Sequence, residues 1–191
     1  MTSISIIGTG NMGRAIAAVA ERGGHDVQQL AHSDSDVAAT GDIVVLAVPH
    51  TAVREILEQR RESLAGKIVV DITNPLDFTT MDSLVVAPDS SKAVEIAAAL
   101  PSSRVLKAFN TNFASTLAEG TVGPLRTTVL IAGDDDRAKA ALSEVLTSGG
   151  LEAIDAGGLD RARELEAIGF LQISLAARDT LSWTAGFGVV V

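Results

Sequence analysis

The sequence predicts an α/β fold in which a mostly parallel β-sheet is covered by helices on both faces. Short runs rich in Val and Ile alternate with amphipathic stretches, as expected for strands joined by crossover helices. Glycines at positions 8, 10 and 13 separate the first apolar run from the first amphipathic stretch. With 191 residues, 47% of them hydrophobic, the chain is long enough for one sizeable core.

Hydrophobic periodicity and helix-capping residues place the predicted elements in order. SISII is the first strand, and a helix follows from Asn11 to about Arg22, with Met12, Ile16 and Val19 at helical spacing. Further strands are predicted at 26–31, 42–48, 67–72, 104–109, 127–133 and 151–157. Helices are predicted at about 50–64, 89–100 and 135–148, and from about 159 towards 183.

The composition argues against a nucleic-acid or acidic-membrane surface. There are 24 Asp and Glu against 15 Lys and Arg, for a net charge of −9, and such a charge repels polyanions. Cysteine is absent, so disulfides and thiolate chemistry are excluded and any redox chemistry needs a cofactor. The chain shows neither a signal-peptide pattern nor a run of about 20 apolar residues. We therefore expect a cytoplasmic protein.

The glycine motif predicts a dinucleotide site of the Rossmann type. A strand that leads through G-x-G-x-x-G into a helix suits a pyrophosphate, because each glycine has a separate steric role. Gly8 makes the tight turn, Gly10 lets the backbone approach the phosphates, and Gly13 lets the helix lie close to its strand. Thr9, Asn11 and Met12 complete the cradle, and the N–H groups of the helix start favour negative charge.

The end of the second strand favours NADP over NAD. An NAD site usually places a carboxylate there for the ribose 2′-hydroxyl, yet the strand ends in Leu30 and Ala31. His32 and Ser33 follow and can hold a 2′-phosphate. The negative charges of the nearby Asp34 and Asp36 argue against a phosphate at this position. A solvated loop histidine at position 32 is the alternative, and it would leave the specificity open.

A short connection follows the second strand. Only His32 and the stretch SDSDVAATG separate it from the next strand, where a dinucleotide fold normally has a helix and another strand. We therefore expect the second strand to be an edge strand and the cleft to lie above Gly8 and Val48.

Polar residues end two further strands of the predicted sheet. Carboxyl ends of parallel strands meet at one crevice, so Asn74 and Asn110 can face a carboxamide or a flavin-like ring edge with amides that donate and accept. Turn chemistry is the alternative for both.

Hydride transfer between stacked rings requires no proton donor, whereas a carbonyl or imine reductase would need one. Lys107 and His50 are the candidates, although a solvent-reaching strand lysine and a helix-starting histidine are the simpler interpretations.

The motifs GTGNMG, LAVP, KIVVDITNPL, VLKAFNT, IAGDDDRAK and DAGGLDRARELE, in this order, resemble the NADP-dependent oxidoreductases of the coenzyme F-420 (deazaflavin) type. The same fold also occurs in the cytosolic domain of six-transmembrane ferric reductases. The resemblance covers nearly the whole chain, and within this family the sequence resembles the short bacterial dinucleotide-binding oxidoreductases. It implies a Rossmann-type domain with a C-terminal helical segment, often dimeric, that passes hydride between NADP(H) and a deazaflavin or flavin ring.

The resemblance also implies roles for individual residues. Those expected to bind the pyrophosphate are Thr9, Gly10, Asn11 and Met12, and those expected to flank the 2′-phosphate are Ala31, His32 and Ser33. Val48 and Pro49 would line the nicotinamide ribose. Those expected to face the nicotinamide and the second ring are Asn74, Pro75, Asn110, Thr111 and Asn112. The basic residues that such enzymes place after the second strand are missing here.

The domain prediction is a dinucleotide-binding domain at 1–157 and a C-terminal helix and tail at 158–191 that pack on it or on a dimer partner. The acidic cluster Asp134 to Asp136 is expected to cap a helix rather than bind a metal. The predicted function is an NADP(H)-binding oxidoreductase whose second substrate is flavin-like or a small acceptor. A non-catalytic NADP(H) sensor and a direct reductase of a small carbonyl or imine are the alternatives. No catalytic residue is assigned.

Overall fold

A computed structural model describes residues 1–190 as a seven-stranded sheet with helices on both faces. The strands are β1 (Ser3–Ile7), β2 (Asp26–Leu30), β3 (Ile43–Leu46), β4 (Ile68–Asp71), β5 (Arg104–Lys107), β6 (Thr121–Val122), β7 (Leu125–Arg126), β8 (Thr128–Gly133) and β9 (Glu152–Gly157). The helices are α1 (Asn11–Arg22), α2 (Val53–Leu64), α3 (Lys92–Ala99), α4 (Ala114–Glu119), α5 (Asp136–Ser148) and α6 (Ala162–Ala177). The sheet order is β2-β1-β3-β4-β5-β8-β9, which confirms the predicted three-layer Rossmann-type fold.

The sheet reverses direction between β5 and β8. Strands β2, β1, β3, β4 and β5 are mutually parallel, β8 is antiparallel to β5, and β9 is parallel to β8. The chain leaves β5 through α4 and the small β6–β7 hairpin without a crossover back to the start of β5. Strand β8 therefore runs the opposite way, and its last two residues, Ala132 and Gly133, pair with Lys107 and Leu106 of β5. Neither α4 nor this hairpin was predicted from the sequence.

Each face of the sheet buries its own apolar layer. Side chains of α1, α4 and α5, such as Ile16, Leu117 and Leu142, pack on one face. Side chains of α2 and α3, such as Leu57 and Ile96, pack on the other face together with the start of α6. Strand β3 contributes to both layers and is wholly buried, which explains its continuous apolar run.

The second strand is an edge strand, as predicted, because β2 pairs only with β1 in the sheet order. The segment between β2 and β3 contains a single 3₁₀ turn, His32–Asp34, and no α-helix. The amide of Gln28 closes this segment onto the sheet: its Oε1 accepts from Ser5 Oγ at 2.6 Å and from Thr40 N at 3.0 Å.

Two helix boundaries bear on the predictions. Asp135 caps α5 by accepting from Ala138 N at 2.8 Å, and Asp134 accepts from Leu159 N at 2.8 Å, so the acidic cluster caps helical turns as predicted. The prediction that the last helix runs towards Trp183 is wrong. Helix α6 ends at Ala177, and Asp179 has a positive φ of 56°, a left-handed conformation that stops an α-helix.

Among the described helices, none is long and apolar enough to cross a membrane.

A buried ionic cluster joins the sheet to α3 and α6. The Nζ of Lys107 donates to Asp71 Oδ2 at 2.7 Å, to Glu166 Oε1 at 2.8 Å and to the carbonyl of Thr73 at 2.6 Å. Glu166 also accepts the backbone N–H of Lys92, at the start of α3. Burial raises the pKa of the Glu166 carboxyl, and the Lys107 ammonium opposes that shift. The interpretation of Lys107 as a solvent-reaching lysine is therefore wrong, because its side chain is fully buried.

Replacing Lys107 by methionine is expected to destabilise the fold by about 3–5 kcal/mol, because Asp71 and Glu166 would remain buried without their cation. Urea denaturation followed by circular dichroism measures this loss. The control is Lys67→Met, which removes an ammonium from an exposed contact with the Thr40 carbonyl and should change the free energy of unfolding by no more than about 0.5 kcal/mol. Equal stability of the two variants would contradict a structural role for the cluster.

Candidate functional site

The glycine motif forms a turn in which two of the three glycines are required by close packing. Gly8 has a φ of 123°, and a Cβ on it would lie 2.1 Å from the Ala47 carbonyl oxygen. A Cβ on Gly13 would lie 2.1 Å from the Gly8 carbonyl oxygen. A Cβ on Gly10 would meet nothing within 4 Å. The predicted steric roles of Gly8 and Gly13 are thus confirmed, and Gly10 leaves space next to the backbone at the helix start.

The first turn of α1 is open to an anion. Its N-cap is Gly10, which provides no side-chain hydrogen bond, so the N–H groups of this turn point to the loop with their partial positive charge. Arg14 lies beside them and donates to the Thr9 carbonyl and to Asn11 Oδ1, each at 2.7 Å. The sequence analysis did not single out Arg14. The sequence feature that could have identified Arg14 is a cation in the first turn of a helix, where the helix dipole disfavours positive charge.

A cavity of about 340 Å³ lies between the glycine loop, the end of β2 and the start of α2. Its lining includes seven of the predicted site residues: Gly8, Thr9, Gly10, Ala31, His32, Val48 and Pro49. Ser33 is not part of the lining, and Ser35 takes its place. Arg60 of α2 also lines the cavity, although the sequence analysis found no cation for this region. The predicted cleft above Gly8 and Val48 is therefore present.

A second and larger groove, of about 720 Å³, lies on the other side of the α1 start. Its polar lining includes the predicted residues Asn11, Asn74, Asn110 and Asn112. Its apolar lining includes the predicted Met12 and also Ala15, Ile72, Phe113, Ile173 and Trp183. Pro75 and Thr111 are buried and belong to neither lining. The groove residues from α4, α6 and the tail were missed because their approach depends on tertiary packing.

The asparagines hold one another in fixed orientations. Asn74 Nδ2 donates to the Asn110 carbonyl at 2.8 Å, and Asn110 Nδ2 donates to Asn74 Oδ1 at 3.0 Å and to the Leu165 carbonyl at 2.8 Å. Asn112 Nδ2 donates to the Thr128 carbonyl at 3.0 Å. The Oδ1 atoms of Asn110 and Asn112 are buried and have no hydrogen-bond partner. Buried acceptors without a hydrogen-bond partner are uncommon, and a donor on a bound molecule would satisfy both.

Backbone geometry beside the asparagines is equally constrained. Phe109, which precedes Asn110, is buried and has a φ of 63°, an uncommon conformation for a bulky residue that concentrates at functional sites. On α6, a Cβ on Gly169 would lie 2.2 Å from Asn74 Oδ1 and 2.8 Å from the Asn110 carbonyl oxygen. Helix α6 thus lies in direct contact with the asparagines.

The two candidate proton donors lie outside both cavities. Lys107 is buried in its ionic cluster and lines neither. His50 begins a 3₁₀ turn, as the simpler interpretation predicted, and its Nε2 lies 3.1 Å from the Leu76 carbonyl oxygen. Its ring stacks on Phe78 with a centroid distance of 5.8 Å.

Comparison with known proteins agrees with this geometry. The family model described as NADP oxidoreductase, coenzyme F420-dependent, matches residues 18–75. The F420-dependent NADP reductase of Methanothermobacter marburgensis is 32% identical over 188 residues, which cover 92% of this chain and 83% of that enzyme. The chain belongs to the F420-dependent NADP reductase family.

Two further comparisons extend this family assignment. The F420-dependent NADP reductase of Methanocaldococcus jannaschii is 34% identical over 146 residues, and this chain spans 65% of its length. A crystal structure of a candidate F420-dependent NADP reductase from Arthrobacter sp. FB24 superposes with a TM-score of 0.87 at 28% identity, over 100% of both chains. The resemblance to the F420-dependent reductase family, and with it the prediction of an NADP-dependent oxidoreductase, is confirmed.

Alanine substitutions in the glycine loop should separate folding from binding. Gly10→Ala has open space and a compatible φ of −71°, so its stability should stay within about 0.5 kcal/mol of wild type. Its affinity for NADPH should fall at least about tenfold, or about 1.4 kcal/mol, because the new methyl occupies the phosphate approach.

Gly13→Ala is the matched comparison and should destabilise the fold by at least about 1–3 kcal/mol through overlap with the Gly8 carbonyl. Thermal unfolding and isothermal titration of NADPH measure both effects. Wild-type NADPH affinity in Gly10→Ala would show that the phosphates do not lie at this loop.

Proposed function

We propose that this protein is an NADP(H)-dependent oxidoreductase that transfers hydride between the nicotinamide ring and a deazaflavin. The observation that carries the proposal is the position of two cavities on either side of the α1 start. One contains the glycine loop and the end of β2, and the other contains the asparagines. A dinucleotide held by its pyrophosphate at the loop can reach both.

The cavity at the glycine loop fits the adenosine half and the pyrophosphate. Gly10 and the uncapped start of α1 receive the phosphates, and Arg14 adds a positive charge beside the turn. Val48 and Pro49 close the cavity where the nicotinamide ribose passes over the end of β3. The relatives in this family are named as NADP reductases, which supports NADP(H) as the dinucleotide.

The groove at the asparagines fits two stacked planar rings. Its apolar walls of Met12, Ile72 and Trp183 exclude water from the ring faces. The buried, unpartnered Oδ1 atoms of Asn110 and Asn112 would accept hydrogen bonds from the nicotinamide carboxamide or from a ring N–H after a small shift of the side chains. Trp183 is 52% exposed and packs against Phe113 at a centroid distance of 5.0 Å, which supports stacking of its ring on the second substrate.

Positioning and desolvation are sufficient chemistry for such a site. In the reaction, NADPH, oxidised deazaflavin and a proton give NADP⁺ and reduced deazaflavin, or the reverse. The chain's contribution is to hold the two rings face to face in an apolar groove, which supplies orientation rather than acid–base catalysis. The absence of His50 and Lys107 from both cavity linings speaks against direct reduction of a carbonyl or imine by those groups.

The test is oxidation of NADPH at 340 nm with deazaflavin as acceptor and with free flavin in parallel. Wild type should oxidise NADPH with the deazaflavin. Trp183→Ala should raise the KM for the deazaflavin roughly 3–10-fold, the range of one aromatic contact, and leave NADPH affinity unchanged. Phe187→Ala is the matched control, since Phe187 is a half-exposed tail aromatic outside the groove.

NADPH binding without oxidation by either acceptor would overturn the proposed hydride transfer and favour a nucleotide sensor. If flavin oxidises NADPH and the deazaflavin does not, the second substrate is a flavin and not a deazaflavin. Loss of turnover in Phe187→Ala as large as in Trp183→Ala would show that the tail as a whole, and not the Trp183 ring, supports the groove.

We also propose that the protein is a cytoplasmic homodimer. Apolar side chains remain exposed on α6 and on the tail, such as Leu171 and Val190, and a second copy would bury them. The chain contains no cysteine and needs no oxidising compartment to fold. Light scattering on the purified chain should give about twice the chain mass of 19.7 kDa, and a single-chain mass would contradict the dimer.

A further inference from the structure

Arg60 of α2 is a buried cation in the cavity of the glycine loop. Its side chain is 5% exposed, and it shares the cavity lining with Gly10, Ala31 and His32. It lies two turns into α2, so it approaches the end of β2 from the neighbouring element rather than from the segment that follows β2.

The guanidinium of Arg60 contacts only neutral acceptors. Its Nη1 donates to the Val37 carbonyl, and its Nη2 donates to the Asp34 carbonyl at 2.5 Å. Within residues 1–190, Arg60 forms no ion pair with a carboxylate. A buried charge without a counter-charge is costly, and this cost disappears when an anion binds beside it.

The acidic groups nearby do not supply that counter-charge. Asp34 Oδ2 accepts the Ala31 N–H at 2.8 Å, and Asp34 Oδ1 accepts from Ser33 Oγ at 3.4 Å. Asp36 is exposed, and its Oδ1 accepts from Ser35 Oγ at 3.4 Å. His32 is the other group of the lining that can carry positive charge. The cavity lining at the end of β2 therefore offers the guanidinium of Arg60, the imidazole of His32 and the hydroxyl of Ser35 to a bound group.

We propose that Arg60 is the residue that recognises the 2′-phosphate of NADP(H). The inference rests on the proposed function, because it assigns one group of the dinucleotide to one residue of the same site. Arg60 has N–H groups beyond those used on the two carbonyls, and a guanidinium binds phosphate with directed, charge-assisted hydrogen bonds. NADH lacks this phosphate, so Arg60 sets the preference between the two dinucleotides.

Titration calorimetry of NADPH and NADH against wild type, Arg60→Gln and Arg61→Gln tests the inference. Arg60→Gln should lower NADPH affinity at least about tenfold and lower NADH affinity far less, through the loop carbonyls alone, so that the ratio of the two affinities falls. Arg61→Gln is the control, since Arg61 is the exposed neighbour on the same helix, and it should keep the wild-type ratio.

A purely structural role for Arg60 makes a different prediction. If the guanidinium only braces residues 34–37 through their carbonyls, Arg60→Gln weakens both dinucleotides equally, and that result overturns the inference. An unchanged affinity ratio in Arg60→Gln overturns it as well.

A second variant and a second probe keep the test valid if Arg60→Gln fails to fold. Arg60→Lys keeps the charge, and adenosine 2′-monophosphate contains the recognised phosphate without the nicotinamide. Wild type should bind adenosine 2′-monophosphate more tightly than adenosine, and Arg60→Lys should reduce that advantage. If the wild-type protein oxidises NADPH but binds NADPH and NADH equally well, this inference alone is overturned. If it binds neither dinucleotide, the proposed function is overturned too.

Discussion

The ion pairs of Lys107 with Asp71 and Glu166 are the interaction on which the arrangement of the site depends. The three side chains come from β5, β4 and α6 and are fully or almost fully buried, so no water can replace a lost partner. Lys107 also fixes the Thr73 carbonyl, next to Asn74, and Glu166 follows Leu165, whose carbonyl holds Asn110. A buried network of this kind is poor at adding stability but selective for one arrangement. Here the selected arrangement is the one that places α6 against both asparagines.

The segment between β2 and β3 shows how a shortened Rossmann-type fold keeps a lined cavity beside the glycine loop. The usual crossover helix is absent, and a short loop with one 3₁₀ turn replaces it. Such a loop has little apolar surface of its own to hold it in place. Backbone carbonyls of this loop are instead fixed by Arg60, and its edge is fixed by Gln28. Polar anchoring from α2 and β2 thus substitutes for the packing of a missing helix.

The sequence predicted those parts of the structure that depend on local patterns. The strands of the main sheet, the glycine turn and the capping by Asp135 follow from residue types at short spacing, and each is present. The reversal at β8 was not predictable, because alternating apolar runs carry no information on strand direction. Arg60 and Glu166 were missed for a related reason. Each reaches its partners across more than 20 residues of sequence, and on a helical wheel both look like ordinary surface charges.

The contact between Gly169 and Asn74 has a thermodynamic consequence for ligand binding. Asn74 Oδ1 occupies the space where a Cβ at position 169 would lie, and Asn110 Nδ2 donates to the Leu165 carbonyl of α6, so docking of α6 favours the paired geometry of the asparagines. If the groove binds its ligand through the asparagines, as proposed, docking of α6 and ligand binding are linked equilibria, and the bound ligand also stabilises the docked helix. The backbone amides of α6 should then exchange with deuterated solvent more slowly in the complex than in the free protein, including on turns that touch no ligand.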